Sequence, residues 1–90
     1  MIELGGNIKL INFEEIEPTL LIVVKKIVGI YTKKISSKFS DFKSIEVTLE
    51  NKTSNLVKVR VECGDIKESE SRDKNLFFAL DGALGAILNQ

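Results

Sequence analysis

The chain has 90 residues, 43% of them hydrophobic and 29% charged, with a single proline. This length and composition suit one hydrophobic core in one domain, residues 1–90, and exclude an intrinsically disordered chain. Thirteen basic residues balance thirteen acidic ones, histidine is absent and cysteine occurs once. That argues against histidine-based catalysis, the usual zinc sites and an internal disulfide, and no cofactor, no metal and no enzymatic activity are expected.

The N-terminus, Met1-Ile2-Glu3-Leu4-Gly5-Gly6, has neither the basic start nor the apolar run of a secretory signal. Lys25 and Lys26 interrupt the most apolar stretch well short of a membrane span, so a cytoplasmic protein with no membrane partner is expected. Residues 7–13, with Ile8, Leu10 and Phe13 after the Gly5-Gly6 turn signal, form a strand candidate. Asn12 and Glu15 have the spacing of a capping pair, and Pro18 suits the first turn of a helix. From there Leu20, Val23, Val24, Ile27, Val28, Tyr31 and Ile35 recur at three- and four-residue spacing and predict a long helix with this stripe in the core. Lys25, Lys26, Lys33 and Lys34 fall on its solvent side.

Residues 44–50 alternate Ile45, Val47 and Leu49 with Glu46, Thr48 and Glu50, and residues 51–55 are a polar turn. Residues 56–63 alternate again, with Val57, Val59, Val61 and Cys63 on one face and Lys58, Arg60 and Glu62 on the other, as in a sheet covered on one side. Gly64-Asp65 predicts a tight hairpin turn, and the polar residues 66–71 an edge strand. Residues 75–88 place Leu76, Phe77, Ala79, Leu80, Ala83, Leu84, Ile87 and Leu88 at helical spacing. The predicted fold is therefore α+β and two-layered, β-α-β-β-β-α, with a four-stranded mixed sheet, a parallel first pair and two helices on one face.

Charge is unevenly spread along this framework. Residues 1–24 hold Lys9 against four glutamates, whereas residues 25–43 hold six lysines against Asp41 alone. Such a local basic surface is either a solvated helix face or a polyanion site. Lys58 and Arg60 extend the basic set to the open face of the sheet, and Arg72 and Lys74 to the loop before the last helix. Other chemistry is weaker. Cys63 alternates with Val59 and Val61 as a buried apolar residue, and Glu68 and Glu70 share one face of a solvated edge strand. Gly82-Ala83-Leu84-Gly85 matches a GxxG clamp but keeps helical periodicity, which favours small residues for close helix packing.

The segment Val59-Arg60-Val61-Glu62-Cys63-Gly64-Asp65-Ile66 and the later run Asn75-Leu76-Phe77-Phe78-Ala79-Leu80-Asp81 resemble the bacterial ribosome hibernation-promoting factor and ribosome-associated inhibitor family. In that family a strand, a glycine turn and a polar strand lead to a final helix opening on a pattern like D-x-[YF]-x-A-[IL]-D. Here Asn75 takes the place of the first aspartate while Ala79 and Asp81 match, and Gly6-Asn7 is similar to the family's early Gly-Asn. The match covers residues 44–88. The resemblance implies the same β-α-β-β-β-α fold and occupancy rather than catalysis. The implied partner is ribosomal RNA of the small subunit, held by phosphate contacts from Lys25, Lys26, Lys33, Lys34, Lys58, Arg60, Arg72 and Lys74. Two other readings stand beside it: a double-stranded RNA module, and a protein-interaction domain without a nucleic-acid role that forms a homodimer through its open sheet face or edge strand.

Overall fold

The computed structural model describes residues 1–51 and 53–90. Strand β1 (Ile2–Leu4) turns through Gly5 and Gly6 into β2 (Ile8–Ile11), and helix α1 (Pro18–Lys38) follows. Strands β3 (Phe42–Asn51), β4 (Leu56–Cys63) and β5 (Ile66–Arg72) then form a meander that leads into helix α2 (Leu76–Leu88). The strands lie side by side in sequence order, antiparallel except for the parallel β2–β3 pair that α1 connects.

The sheet thus has five strands where the sequence predicts four. The extra strand is Ile2-Glu3-Leu4, too short for alternation to announce it; Gly5 and Gly6, at φ 65° and 82°, are its hairpin turn and not merely a leader to the next strand. The expected strand over residues 7–13 shrinks to Ile8–Ile11, because Asn12 adopts φ 68° and breaks it. Asn12 caps no helix; its Nδ2 donates to Leu49 O at 3.4 Å. Helix α1 begins at Pro18, where the missing N–H leaves no helical bond unmade.

Both layers meet in one core. Leu10, Ile45, Val47, Leu49, Val57, Val59 and Val61 from the sheet are buried against Val24, Val28 and Ile35 of α1 and Ala79, Leu80, Ala83, Leu84 and Ile87 of α2. Cys63 joins them as the buried apolar residue its alternation predicts. Two members of the predicted α1 stripe do not: Leu20 and Val23 are exposed, and Thr32, which the stripe did not include, is buried between Val28 and Ile35. The burial stripe runs Val24, Val28, Thr32, Ile35, rotated away from Leu20 and Val23.

Helix α2 starts on Asn75, whose Oδ1 accepts from Phe77 N at 2.9 Å and from Phe78 N at 3.3 Å. It lies over β5, where Ser69 Oγ donates to Ala83 O at 2.5 Å. A Cβ on Gly82 would stand 2.5 Å from Ser71 Oγ, so this glycine lets the helix approach the strand closely. The GxxG run is therefore interior helix, not a loop. Asn51 Oδ1 accepts from Thr53 N and Ser54 N to shape the β3–β4 turn; Lys52, in that predicted turn, lies outside the described residues.

Candidate nucleic-acid interface

The two helices cover one face of the sheet and leave the other to solvent, so the eight basic residues singled out by sequence divide between opposite sides of the molecule. Lys25, Lys26, Lys33 and Lys34 belong to α1, which carries five lysines and no acidic residue between Pro18 and Lys38. Among the described residues no ion pair engages these four lysines. Lys34 sits 5.5 Å from the centre of the Tyr31 ring, a cation–π contact that leaves its charge at the surface. Lys38 donates to Leu88 O at the end of α2, where a cation meets the negative end of the helix dipole. A shallow groove along α1 is lined by Ile30, Lys33, Lys34, Ser37 and Lys38.

Lys58 and Arg60 lie on the open sheet face in different company. Strand register puts Glu46 and Glu68 on either side of Arg60, and Glu70 opposite Lys58. Lys58 Nζ is also 3.8 Å from Glu50 Oε1. Continued across the sheet, one row reads Glu3, Lys9, Glu46, Arg60, Glu68, alternating in sign over all five strands. Directly opposed charges of opposite sign stabilise neighbouring strands and cancel each other's field at a distance. The shallow concavity on this face, lined by Glu46, Thr48, Lys58, Arg60, Glu68 and Glu70, is therefore close to neutral rather than basic. Arg72 ends β5 at the margin of the same face, and Lys74 lies in the turn before α2, its carbonyl accepting from Asn55 Nδ2 at 2.9 Å.

Lys26, Lys33 and Lys34 are exposed on α1, whereas Lys25, about 180° from Lys34 around the helix, is half-buried, and all four are apart from Lys58, Arg60 and Arg72. Sequence reasoning passed over Lys38, whose position one turn beyond Lys34 was the signal. The helical layer contributes a single acidic side chain, Asp81 of α2, and Tyr31 Oη donates a hydrogen bond to its carboxylate. That hydrogen bond, with burial and the negative charge of Asp81, holds the Tyr31 pKa above the ordinary tyrosine value. Among the described residues no helix is long and apolar enough to cross a membrane, and no group of three potential ligands could hold a metal ion.

No protein-family model matches the sequence, and no curated protein matches it significantly. Solved structures do resemble it. A ribosomal subunit interface protein from Coxiella burnetii superposes with a TM-score of 0.69 over 93% of this chain and 89% of its own, at 14% identity. The N-terminal domain of Protein Y from Thermus thermophilus gives 0.66 over 92% and 90%, at 19% identity. At such identities the likeness is one of fold, and it extends over nearly the whole of both chains, including the first half that the sequence motifs left out. The chain is a fold relative of the ribosome hibernation-promoting and ribosome-associated inhibitor proteins that its C-terminal half resembles.

Proposed function

We propose that this chain is a non-catalytic, ribosome-associated domain that binds small-subunit ribosomal RNA through the outer face of α1. The observation that carries this reading is the acid-free helix with five lysines, on a fold whose neighbours include a ribosomal subunit interface protein. Lysines spaced along about 20 Å of helix can meet several phosphates of a folded RNA without reading its bases. Lys25, Lys26, Lys33 and Lys34 are the main contacts in this proposal. Lys58, Arg60, Arg72 and Lys74 are secondary, because glutamates oppose Lys58 and Arg60 across the sheet.

The test is co-sedimentation with ribosomes and with isolated small subunits over a salt series. The chain should sediment at low salt and be released as salt rises, since each phosphate contact releases counterions on binding. A variant with Lys25, Lys26, Lys33 and Lys34 changed to glutamate should stay in the supernatant. If the unaltered chain fails to sediment even at low salt, the ribosome reading is wrong.

A further inference from the structure

Helix α1 carries a second feature that phosphate binding does not use. Leu20, Val23, Ile27 and Ile30 follow one another at intervals of three, four and three residues, which places them on one stripe of the helix, beside the buried one. Leu20 is 40% exposed, Val23 38% and Ile30 56%, far more than the fully buried Val24 and Val28 next to them. For Leu20 and Val23 the exposure has a geometric cause. Tyr31 meets Asp81 and Lys38 meets Leu88 O, so the helices run parallel with residue 31 level with 81 and residue 38 level with 88. The 13-residue α2 therefore begins level with the middle of the 21-residue α1, and about 12 Å of α1 projects past it. Phe78, 65% exposed on the outward side of α2, stands at the same level as the row's C-terminal half.

We propose that this flank of α1 is a docking groove for an acidic amphipathic helix of a partner protein. A row of apolar side chains at this spacing is what a single partner helix covers with its own apolar stripe. The charges beside the row select the partner's chemistry: Lys26 and Lys33 border its outward side and Lys34 closes its C-terminal end. A second copy of this chain would set those lysines against their own equivalents, which opposes self-association here. RNA would neutralise the lysines and leave the leucine, valine and isoleucines in water. A flat lipid surface would meet the outward lysines before the row at their side. A helix with an apolar stripe flanked by carboxylates satisfies both features at once.

The probe is a synthetic helical peptide with leucines at alternating three- and four-residue spacing and glutamates on both flanks, followed by fluorescence anisotropy. The chain should bind it more tightly than a scrambled peptide of the same composition by about tenfold or more, and V23Q/I30Q should erase that difference. Both substituted positions are at the surface, so the variant should keep the thermal unfolding midpoint of the parent. Its salt-dependent ribosome sedimentation should be unchanged, which separates this proposal from the lysine-based reading that the glutamate variant tests. Amide NMR shifts on peptide addition should map to Leu20, Val23, Ile27 and Ile30 and spare the open sheet face. The proposal is overturned by equal binding of the scrambled peptide, by no binding, or by V23Q/I30Q binding the ordered peptide normally. It is equally overturned if V23Q/I30Q abolishes a concentration-dependent dimer or binding to anionic phospholipid vesicles, since the row would then belong to a second copy or to a lipid surface.

Discussion

The outer face of the helical layer and the open face of the sheet both carry basic residues, yet the first is basic and the second close to neutral. On the helices five lysines face one aspartate, and that aspartate is tied to Tyr31. On the sheet, Lys9, Arg60 and Lys58 each stand directly across from glutamates. The difference teaches that a basic residue's value for binding a polyanion is set by what the backbone places opposite it. A helix displays neighbours three and four residues away, and α1 has no acid at any position. A strand displays whatever its partner strands bring into register, and here they bring glutamates.

The largest expected effect tests that contrast directly. Reversing Lys25, Lys26, Lys33 and Lys34 should weaken ribosome binding by about a hundredfold or more at low salt and flatten its salt dependence, with a slope lower by roughly three if all four meet phosphates. Reversing Lys58 and Arg60 should change affinity by only about threefold or less, because their fields are already cancelled locally. Sedimentation of both variants in one salt series decides the matter. Equal losses would mean that the two faces act as one surface.

A second expectation keeps stability apart from binding. Thr32 lies at the buried side of α1 with its Oγ1 lacking a hydrogen-bond partner among the described residues. Valine has nearly the same shape without the hydroxyl, so Thr32→Val should stabilise the fold by about 1 kcal/mol in denaturant unfolding. Ribosome affinity should not follow, since the outward lysines are untouched. A parallel rise in affinity would show that helix stability, and not charge, governs the α1 face.

On the sheet side the expected change is smaller. Glu68→Lys replaces the carboxylate across from Arg60 with a like charge, which should destabilise the chain by roughly 0.5 kcal/mol and shrink toward zero in high salt. It also makes this face basic. A gain in low-salt ribosome binding by this variant over the parent would mean that the alternating row is what keeps the native sheet face out of the interaction.

How much of this contrast the sequence disclosed depended on the element. Strand β4 was legible to the residue, because Val57, Val59, Val61 and Cys63 alternate without interruption and a glycine turn follows. The start of α2 was legible to within one residue from the helical spacing over residues 75–88. The short β1 was not, since three residues cannot establish a period. Leu20 and Val23 were misplaced in the core because spacing alone admits two adjacent apolar stripes on α1, and only the position of α2 decides which is covered. The lysines of α1 were visible as a cluster. That glutamates stand directly across from Lys58 and Arg60 on the open sheet face was not, because Glu46, Glu68 and Glu70 lie 8 to 14 residues away in sequence and meet them only through strand register.

The smallest effect concerns Asp81, the acidic member of the helical layer. Tyr31 is the only tyrosine in the chain, so its ultraviolet titration reports this one contact. The hydrogen bond to Asp81 favours the neutral phenol, and the native midpoint should lie above the usual value near 10. A group whose folded pKa is raised adds stability that is complete below the unfolded pKa and lost as pH climbs through the folded one. The Tyr31–Asp81 tie should therefore hold the helices together at neutral pH and weaken only in strong alkali. Asp81→Asn should bring the tyrosine midpoint back toward 10 and flatten that alkaline loss. The same substitution removes the single carboxylate of the two helices, so low-salt ribosome binding should rise, by about twofold. A shifted tyrosine midpoint with no gain in binding would mean that Asp81, held by Tyr31, is too far from the bound phosphates to be felt, and would confine the interface to the outward side of α1.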